Sequence, residues 1–406
     1  MDYHFLLDLA LILISTKVLG LITRKFSLPQ VVGALLAGLI LGPAMLNILH
    51  ETDLIVQLSE IGVIVLMFTA GLEADINELK KSGKAALVLA LFGVLVPLAG
   101  GFVVAYFFNK PSVIVSDATG TLFLQNVFIG VILTATSVSI TVETLKELGK
   151  LSSRAGNAIL GAAIIDDILG IVALTLITSL ADSTVNVSVV LLKIVAFFIF
   201  SGVVGVVCYK FFKTWTANAD KDRRRFVIVA FVLCLLLAFC AEEFFGVADI
   251  TGAFIAGLII SNTERKEYIA SRFEIVSYAL LSPIFFASIG LKVVLPKMTT
   301  SIILFAVVLV IVAIVTKIIG CGIAGKLCKY TNRESIQIGV GMVSRGEVAL
   351  IVASKGAAVG LMSTSLLGPI VVVVVVTTVI SPILLKMAFE GSNKEELVMD
   401  QEVACG

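Results

Sequence analysis

Long stretches of hydrophobic residues run along almost the whole chain, separated by short charged or turn-rich breaks. About 20 consecutive apolar residues are enough to cross a bilayer as a helix. The pattern therefore predicts an all-α polytopic membrane protein with about 13 transmembrane helices. The predicted spans cover residues 5–23, 29–46, 54–72, 85–108, 122–147, 155–181, 186–212, 226–244, 247–261, 270–291, 300–325, 335–358 and 365–388.

Basic residues follow alternate breaks between these spans. Clusters such as Arg24–Lys25, Lys80–Lys81 and Arg223–Arg225 fall on one side of the predicted membrane, and far fewer, among them Lys110 and Lys292, fall on the other. Cytoplasmic loops carry the excess of basic residues in membrane proteins. We therefore expect a multi-pass protein of the cell's inner (plasma) membrane with its N-terminus outside. Residues 1–390 would form one transmembrane domain, and residues 391–406 a short cytoplasmic tail.

Composition agrees with this prediction and excludes several classes of function. Hydrophobic residues make up 59% of the chain and charged residues 15%, an imbalance that excludes an ordinary soluble domain. The net charge of +1 gives no basic excess that would attract nucleic acid. The six cysteines form no paired motif, and only two histidines are present. The cysteines therefore predict no resident metal cluster. We also expect no cofactor and no enzymatic activity.

A segment of the second predicted span recurs in the ninth. The eight residues from Gly33 match the eight from Gly252 at an offset of 219, and the same offset places Thr69 and Gly71 on Ser288 and Gly290. The offset corresponds to seven spans, an odd number, so the two halves would face opposite ways. Inverted repeats of this kind are typical of secondary transporters, which bind substrate near the bilayer midplane.

Two adjacent carboxylates, Asp166 and Asp167, lie halfway along the sixth predicted span. Ionisable residues at this depth are costly and usually serve an ion or proton pathway. Lys317 lies deep in the eleventh span, and a buried ammonium needs a counter-ion, so we expect one of the two aspartates to be its partner. Carboxylate oxygens suit hard cations and also carry protons. The three residues therefore predict a site at which protons and a cation compete.

Polar residues interrupt two further spans, which correspond to each other in the repeat. Thr134, Thr136 and Ser137 lie inside the fifth span, and the stretch from Gly339 to Glu347 lies inside the twelfth. Unwound backbone at membrane depth is tolerated where it lines a cavity or is buried in protein. We therefore predict two broken helices, whose half-helix dipoles Arg345 and Glu347 would neutralise.

These residues resemble a known family. Pro29–Pro43, Glu60–Glu73, the Thr-Ala-Thr-Ser stretch and the Asp-Asp pair are similar to the cation:proton antiporter superfamily, most closely to NapA-type bacterial sodium/proton antiporters. The resemblance implies the NhaA-like antiporter fold, in which two broken helices cross. It also implies a dimerisation domain, spans 5–72 and 186–291, and a core domain, spans 85–181 and 300–388. The two domains would move against each other in a homodimer.

The resemblance also implies roles for individual residues. Asp167 matches the cation-binding aspartate, and Asp166 the neighbour that pairs with a lysine, here Lys317. Thr134, Thr136 and Ser137 match the hydroxyl stretch of the first crossing helix, and Glu347 the acidic residue of the second. Sodium would be held transiently by Asp167, Asp166 and Thr136. Members with two aspartates here are typically electrogenic.

We therefore expect a secondary active sodium or lithium/proton antiporter that works by elevator-type alternating access. Its partners would be a monovalent cation, protons, the lipid bilayer and a second copy of the chain, without nucleic acid. A potassium/proton antiporter on the same scaffold remains an alternative, because the sequence does not give the size of the cavity. An intramembrane aspartyl protease would need its two acids on facing helices, whereas adjacent positions on one helix point about 100° apart. An ion channel fits the inverted repeat and the buried lysine less well.

Overall fold

The computed structural model of this chain describes residues 3–26, 28–74, 76–110, 117–181, 187–217, 224–263, 265–293 and 298–404. At residues 76–80, 178–181, 211–217, 347 and 391–404 it describes the backbone alone. All regular elements in this part of the chain are helical, so the all-α prediction is confirmed there.

The helices follow the predicted apolar stretches. The first half contains α1 His4–Lys25, α2 Gln30–Leu41, α3 Asp53–Glu73, α4 Ile76–Phe108, α5 Leu122–Ile132, α6 Val138–Glu147 and α7 Arg154–Ala181. The second half contains α8 Val187–Ala217, α9 Arg224–Phe245, α10 Asp249–Ser261, α11 Lys266–Val276, α12 Ser282–Leu291, α13 Thr300–Leu327, α14 Asn332–Gly341, α15 Glu347–Ala358 and α16 Leu367–Ala404. A short π-helix, Ser277–Leu281, joins α11 to α12, and a short 3-10 helix, Thr364–Leu366, precedes α16.

Within the described ranges, nine helical segments are long and apolar enough to cross a membrane. Two predicted spans are each divided into two helices: residues 122–147 form α5 and α6, and residues 335–358 contain most of α14 and all of α15. The two short spans are the short apolar helices α2 and α10. The expected tail continues α16 as helix to Ala404. The chain is therefore a multi-pass membrane protein.

Glycine permits close crossings at α2 and α10. A Cβ atom on Gly38 of α2 would lie 1.9 Å from the carbonyl oxygen of Ala287 in α12. On Gly257 of α10 it would lie 2.2 Å from the carbonyl oxygen of Phe68 in α3. Small residues that let backbones approach are a common device in membrane helices, where lipid is as apolar as the side chains. The two matched segments therefore pack in corresponding ways: α2 packs against α12, which follows the segment matched to α2, and α10 packs against α3, which follows α2.

The Gly257 crossing yields a stability prediction. We expect Gly257→Ala to destabilise the fold by about 1–3 kcal/mol, because the added methyl group meets backbone that has no rotamer to change. Gly202→Ala on α8 is the matched control, since no atom lies within 4 Å of its added Cβ, and it should be neutral or slightly stabilising. Thermal unfolding in one detergent compares the two variants. Equal melting temperatures would contradict the tight crossing.

Around the polar segments, α4 packs against α5, α7 and α13, and α13 packs against α14 and α16. The contact between α5 and α13 is largely apolar. Phe128 and Ile129 of α5 and Leu133 just after it lie in one buried cluster with Phe305 and Leu309 of α13. The interrupted helices are therefore enclosed by protein, which satisfies the condition for irregular backbone at membrane depth.

Candidate functional site

Two helices break side by side inside the bundle. The first break separates α5 from α6, and the second separates α14 from α15. The residues at the two breaks are hydrogen-bonded to each other. The Ser137 backbone N–H donates to the Ser344 carbonyl, and the Ser344 hydroxyl donates to the Ser137 carbonyl, both at 2.8 Å. Thr141 adds a hydroxyl contact to Ser344 at 2.9 Å. The hydroxyl residues at these breaks replace the missing helical hydrogen bonds.

Arg345 brings a positive charge to the carbonyl ends of the broken helices. Its guanidinium is fully buried. Nη2 donates to the carbonyl of Leu133, the residue that follows α5, at 2.8 Å and to that of Ala313 at 3.1 Å, and Nη1 donates to the carbonyl of Val343. The C-terminus of a helix carries partial negative charge, so a cation there is stabilising. Arg345 thus compensates the dipole of the first half-helix.

Asp166 and Lys317 form a buried ion pair between α7 and α13. The Lys317 ammonium lies 3.2 Å from both carboxylate oxygens of Asp166, and Thr136 donates a third hydrogen bond to Asp166 at 2.6 Å. Asp166 is 2% exposed and Lys317 is 0% exposed. Two charges taken out of water are tolerated only when paired and hydrogen-bonded. The carboxylate of Asp166 is therefore committed to neighbouring protein groups.

Asp167 has a different environment on the same helix. It is half-buried, and no described group donates a hydrogen bond to its carboxylate. Neighbouring helical positions point about 100° apart, so the pair that holds Asp166 leaves Asp167 directed elsewhere. Asp167 is thus the carboxylate of this cluster to which no described group donates a hydrogen bond.

Of the remaining predicted residues, some contact the aspartates and others contact only the backbone of the broken helices. Thr136, expected to hold sodium together with Asp167 and Asp166, donates its hydroxyl hydrogen to Asp166, because its segment turns the hydroxyl toward α7. Thr134 donates to the carbonyl of Val131 in its own helix at 2.7 Å. Ser137 contributes mainly its backbone to the contact between the breaks. The backbone of Glu347 begins α15, and its side chain is not among those the structure describes.

Sequence reasoning missed two neighbours of the ion pair. Cys321 lies one helical turn after Lys317, and its thiol is 3.7 Å from the carbonyl of Leu89 in α4. Gly93 of α4 borders the pair, since a Cβ there would lie 3.5 Å from Asp166 Oδ1 and 3.6 Å from Lys317 Nζ. The spacing of four residues from Lys317 could have indicated Cys321. No sequence signal distinguishes Gly93 from the other glycines of α4.

The loops beyond the broken helices are also joined. Asp117, before α5, accepts hydrogen bonds from the Thr364 backbone at 2.9 Å and from its hydroxyl at 2.5 Å. The Thr364 hydroxyl, followed by that of Ser363, lowers the pKa of Asp117 from 3.8 to about 2. The Gly120 backbone N–H donates to the Gly360 carbonyl at 2.9 Å. The two broken helices are therefore connected at their distal ends as well as at the breaks.

Comparison with known proteins places this geometry in a family. The sodium/hydrogen exchanger, transmembrane, family matches residues 10–391. The Na(+)/H(+)-K(+) antiporter GerN of Bacillus cereus is 38% identical, with 97% of this chain and 98% of GerN covered. An Na(+)/H(+) antiporter of Enterococcus hirae is 37% identical, with coverages of 94% and 97%.

A solved structure has the same fold. The sodium proton antiporter MjNhaP1 from Methanocaldococcus jannaschii, determined at pH 8, aligns with a TM-score of 0.67 at 19% identity, with 95% of this chain and 96% of that chain covered. The sequence relatives and the fold agree with the resemblance found from the Asp-Asp and Thr-Ala-Thr-Ser motifs. The chain therefore belongs to the sodium/hydrogen exchanger family of transmembrane cation:proton antiporters.

Proposed function

We propose that the chain is an electrogenic sodium or lithium/proton antiporter whose ion site is formed by Asp167, Asp166, Lys317 and Thr136. The observation that carries the proposal is the difference in hydrogen bonding between the two aspartates. Asp166 is paired with Lys317, whereas Asp167 is half-buried without a described hydrogen-bond donor. A bare carboxylate inside a membrane bundle is costly unless it takes up a cation or a proton.

Exchange follows from competition at one site. A sodium ion and a proton both bind carboxylate oxygens, so Asp167 holds one or the other. Sodium at Asp167 would draw on the oxygens of Asp166 and Thr136, and Lys317 would then lose part of its ion pair and release a proton. Two protons would thus move against one sodium ion. Such a cycle carries one net charge, on which the membrane potential acts with about 2.3 kcal/mol per 100 mV.

Alternating access is proposed to occur by relative movement of two bodies. The scaffold would comprise α1 to α3 and α8 to α12, and the core α4 to α7 and α13 to α16. The repeated segments support an inverted arrangement, because α2 crosses α12 closely and its counterpart α10 crosses α3 in the same way. We further propose a homodimer in the cell's inner membrane, with the N-terminus outside and the end of α16 in the cytoplasm.

Potassium is the second candidate cation. The name of GerN includes potassium as well as sodium, and GerN matches 97% of this chain. The oxygen ligands of the site suit either ion. The protease alternative is disfavoured by the geometry, since Asp166 is bound to Lys317 and Asp167 occupies the next position on the same helix.

Cation-driven proton flux in proteoliposomes tests the proposal. We expect sodium and lithium to collapse an imposed pH gradient, and the rate to change when the membrane potential is clamped. A response to potassium alone would transfer the proposal to potassium/proton exchange. An unchanged rate under the clamp would contradict the two-to-one stoichiometry. No cation-dependent flux at all would overturn the antiporter assignment for this chain.

A further inference from the structure

Glu147, the last residue of α6, binds the start of another helix. Its Oε2 accepts a hydrogen bond from the Gln30 backbone N–H at 2.7 Å, and its Oε1 accepts one from Val31 at 3.1 Å. These are the first two N–H groups of α2, and the residue before them, Pro29, provides no side-chain cap. The first N–H groups of a helix have no partner within it, so Glu147 supplies the cap from more than 100 residues away.

This placement does not benefit the helix that carries Glu147. A carboxylate in the last turn of a helix lies at the negative end of its dipole, where it is unfavourable, whereas the same charge at the start of α2 is favourable. The neighbouring residue Lys146 makes a second contact to another helix, an ion pair in which its ammonium lies 3.3 Å from the carboxylate of Glu73 at the end of α3. Two consecutive residues of α6 thus bind two different helices. We call these contacts the α6 latch.

The α6 latch spans the boundary between the proposed core, which contains α6, and the proposed scaffold, which contains α2 and α3. Beside the α6 latch the boundary is not fully packed, because a cavity of about 250 Å³ lies between α6, α1, α2, α12 and the π-helix. Glu143, one turn before Glu147, lines this cavity together with Lys17 and Tyr278, which bind each other. Beside this cavity, the polar contacts at the end of α6 directly connect the two proposed bodies.

We infer that the α6 latch holds one conformation of the transport cycle and must open each time the core moves. The inference rests on the proposed movement of the core against the scaffold. N–H···O hydrogen bonds have donor–acceptor distances of about 2.7–3.2 Å. A displacement of α6 along α2 by one residue's rise, about 1.5 Å, would therefore break both bonds of Glu147. Glu147 is thus a positioning residue that sets the register of the core and does not touch the transported ion.

The cap itself can be tested without transport. Hydrogen exchange of the segment that starts α2 should accelerate about tenfold in Glu147→Ala, because two charge-assisted hydrogen bonds are lost. Glu147→Gln keeps an acceptor oxygen and should fall between Glu147→Ala and the native chain. Glu334→Ala is the matched control, because Glu334 caps α14 and pairs with Arg154 entirely within the proposed core. Unchanged exchange at α2 in Glu147→Ala would overturn the inference.

A reversible crosslink tests the opening. In proteoliposomes, a short bis-methanethiosulfonate should bridge Gln30→Cys and Glu147→Cys and stop exchange, and reducing agent should restore it. The same treatment of Arg154→Cys/Glu334→Cys bridges two helices of the core and should leave exchange running, and the native chain controls for its own thiols. Continued exchange in the bridged Gln30/Glu147 protein, or arrest by both bridges, would overturn the inference. Absence of exchange in the untreated native chain would instead refute the antiporter function.

Discussion

Replacing Asp167 with asparagine is expected to abolish cation-driven proton flux while the protein stays folded. The amide has nearly the shape of the carboxylate but carries no charge and takes up no proton, so both competing substrates lose their ligand. Stability should change little, because no described group donates a hydrogen bond to Asp167 that the amide would lose. Removing an unpaired charge from the membrane region can even stabilise the fold.

Two measurements on Asp167→Asn, together with a control variant, separate loss of function from loss of fold. Proton flux is measured in proteoliposomes with sodium, lithium and potassium, and thermal unfolding is measured in detergent. Glu334→Gln makes the same carboxylate-to-amide change at a cap on α14, away from the site, and should retain flux. Sodium/proton exchange that persists in Asp167→Asn would refute the assignment of Asp167, whereas a collapsed melting temperature would show that Asp167 has a structural role.

The sequence predicted the elements of the site better than their pairing. Hydroxyl residues inside an apolar span correctly indicated a broken helix, since Thr134 to Ser137 lie at the break after α5. Periodicity alone left the partner of Lys317 open, because it fixes the angle between Asp166 and Asp167 but not the rotation of α7 within the bundle. The resemblance to the antiporter superfamily was needed to favour Asp166. The structure resolves that rotation and brings Asp166 to Lys317.

Contacts between distant segments could not be predicted from the sequence either, because local patterns do not fix how helices are oriented against each other. Thr136 lies in the irregular residues 133–137 between α5 and α6, which have no period from which the direction of its hydroxyl could be inferred. Glu147 ends a predicted span and carries no signal that it caps α2. Arg345 was expected to neutralise half-helix ends, and the structure identifies the carbonyl groups that it binds, among them that of Leu133. Packing of whole helices, which follows from the complete fold, determines all three contacts.

The second large effect is expected for the buried ion pair. Lys317→Ala leaves the Asp166 carboxylate 2% exposed and without a counter-ion, so only the Thr136 hydroxyl still stabilises its charge. Removing one partner of a buried pair typically costs about 3–5 kcal/mol. Arg154→Ala breaks an exposed ion pair with Glu334 and should cost about 1 kcal/mol or less. The contrast between these two variants reports the burial of the Lys317 pair.

A double-mutant cycle distinguishes the ion pair from simple loss of packing. If an unpaired Asp166 causes the destabilisation, adding Asp166→Ala to Lys317→Ala should recover part of the lost free energy of unfolding. Thermal unfolding of the two single variants and the double variant measures this recovery. Additive losses in the double variant, or an unchanged melting temperature in Lys317→Ala, would argue against the ion pair. Either result would also argue against the proposal that Lys317 releases a proton when sodium binds.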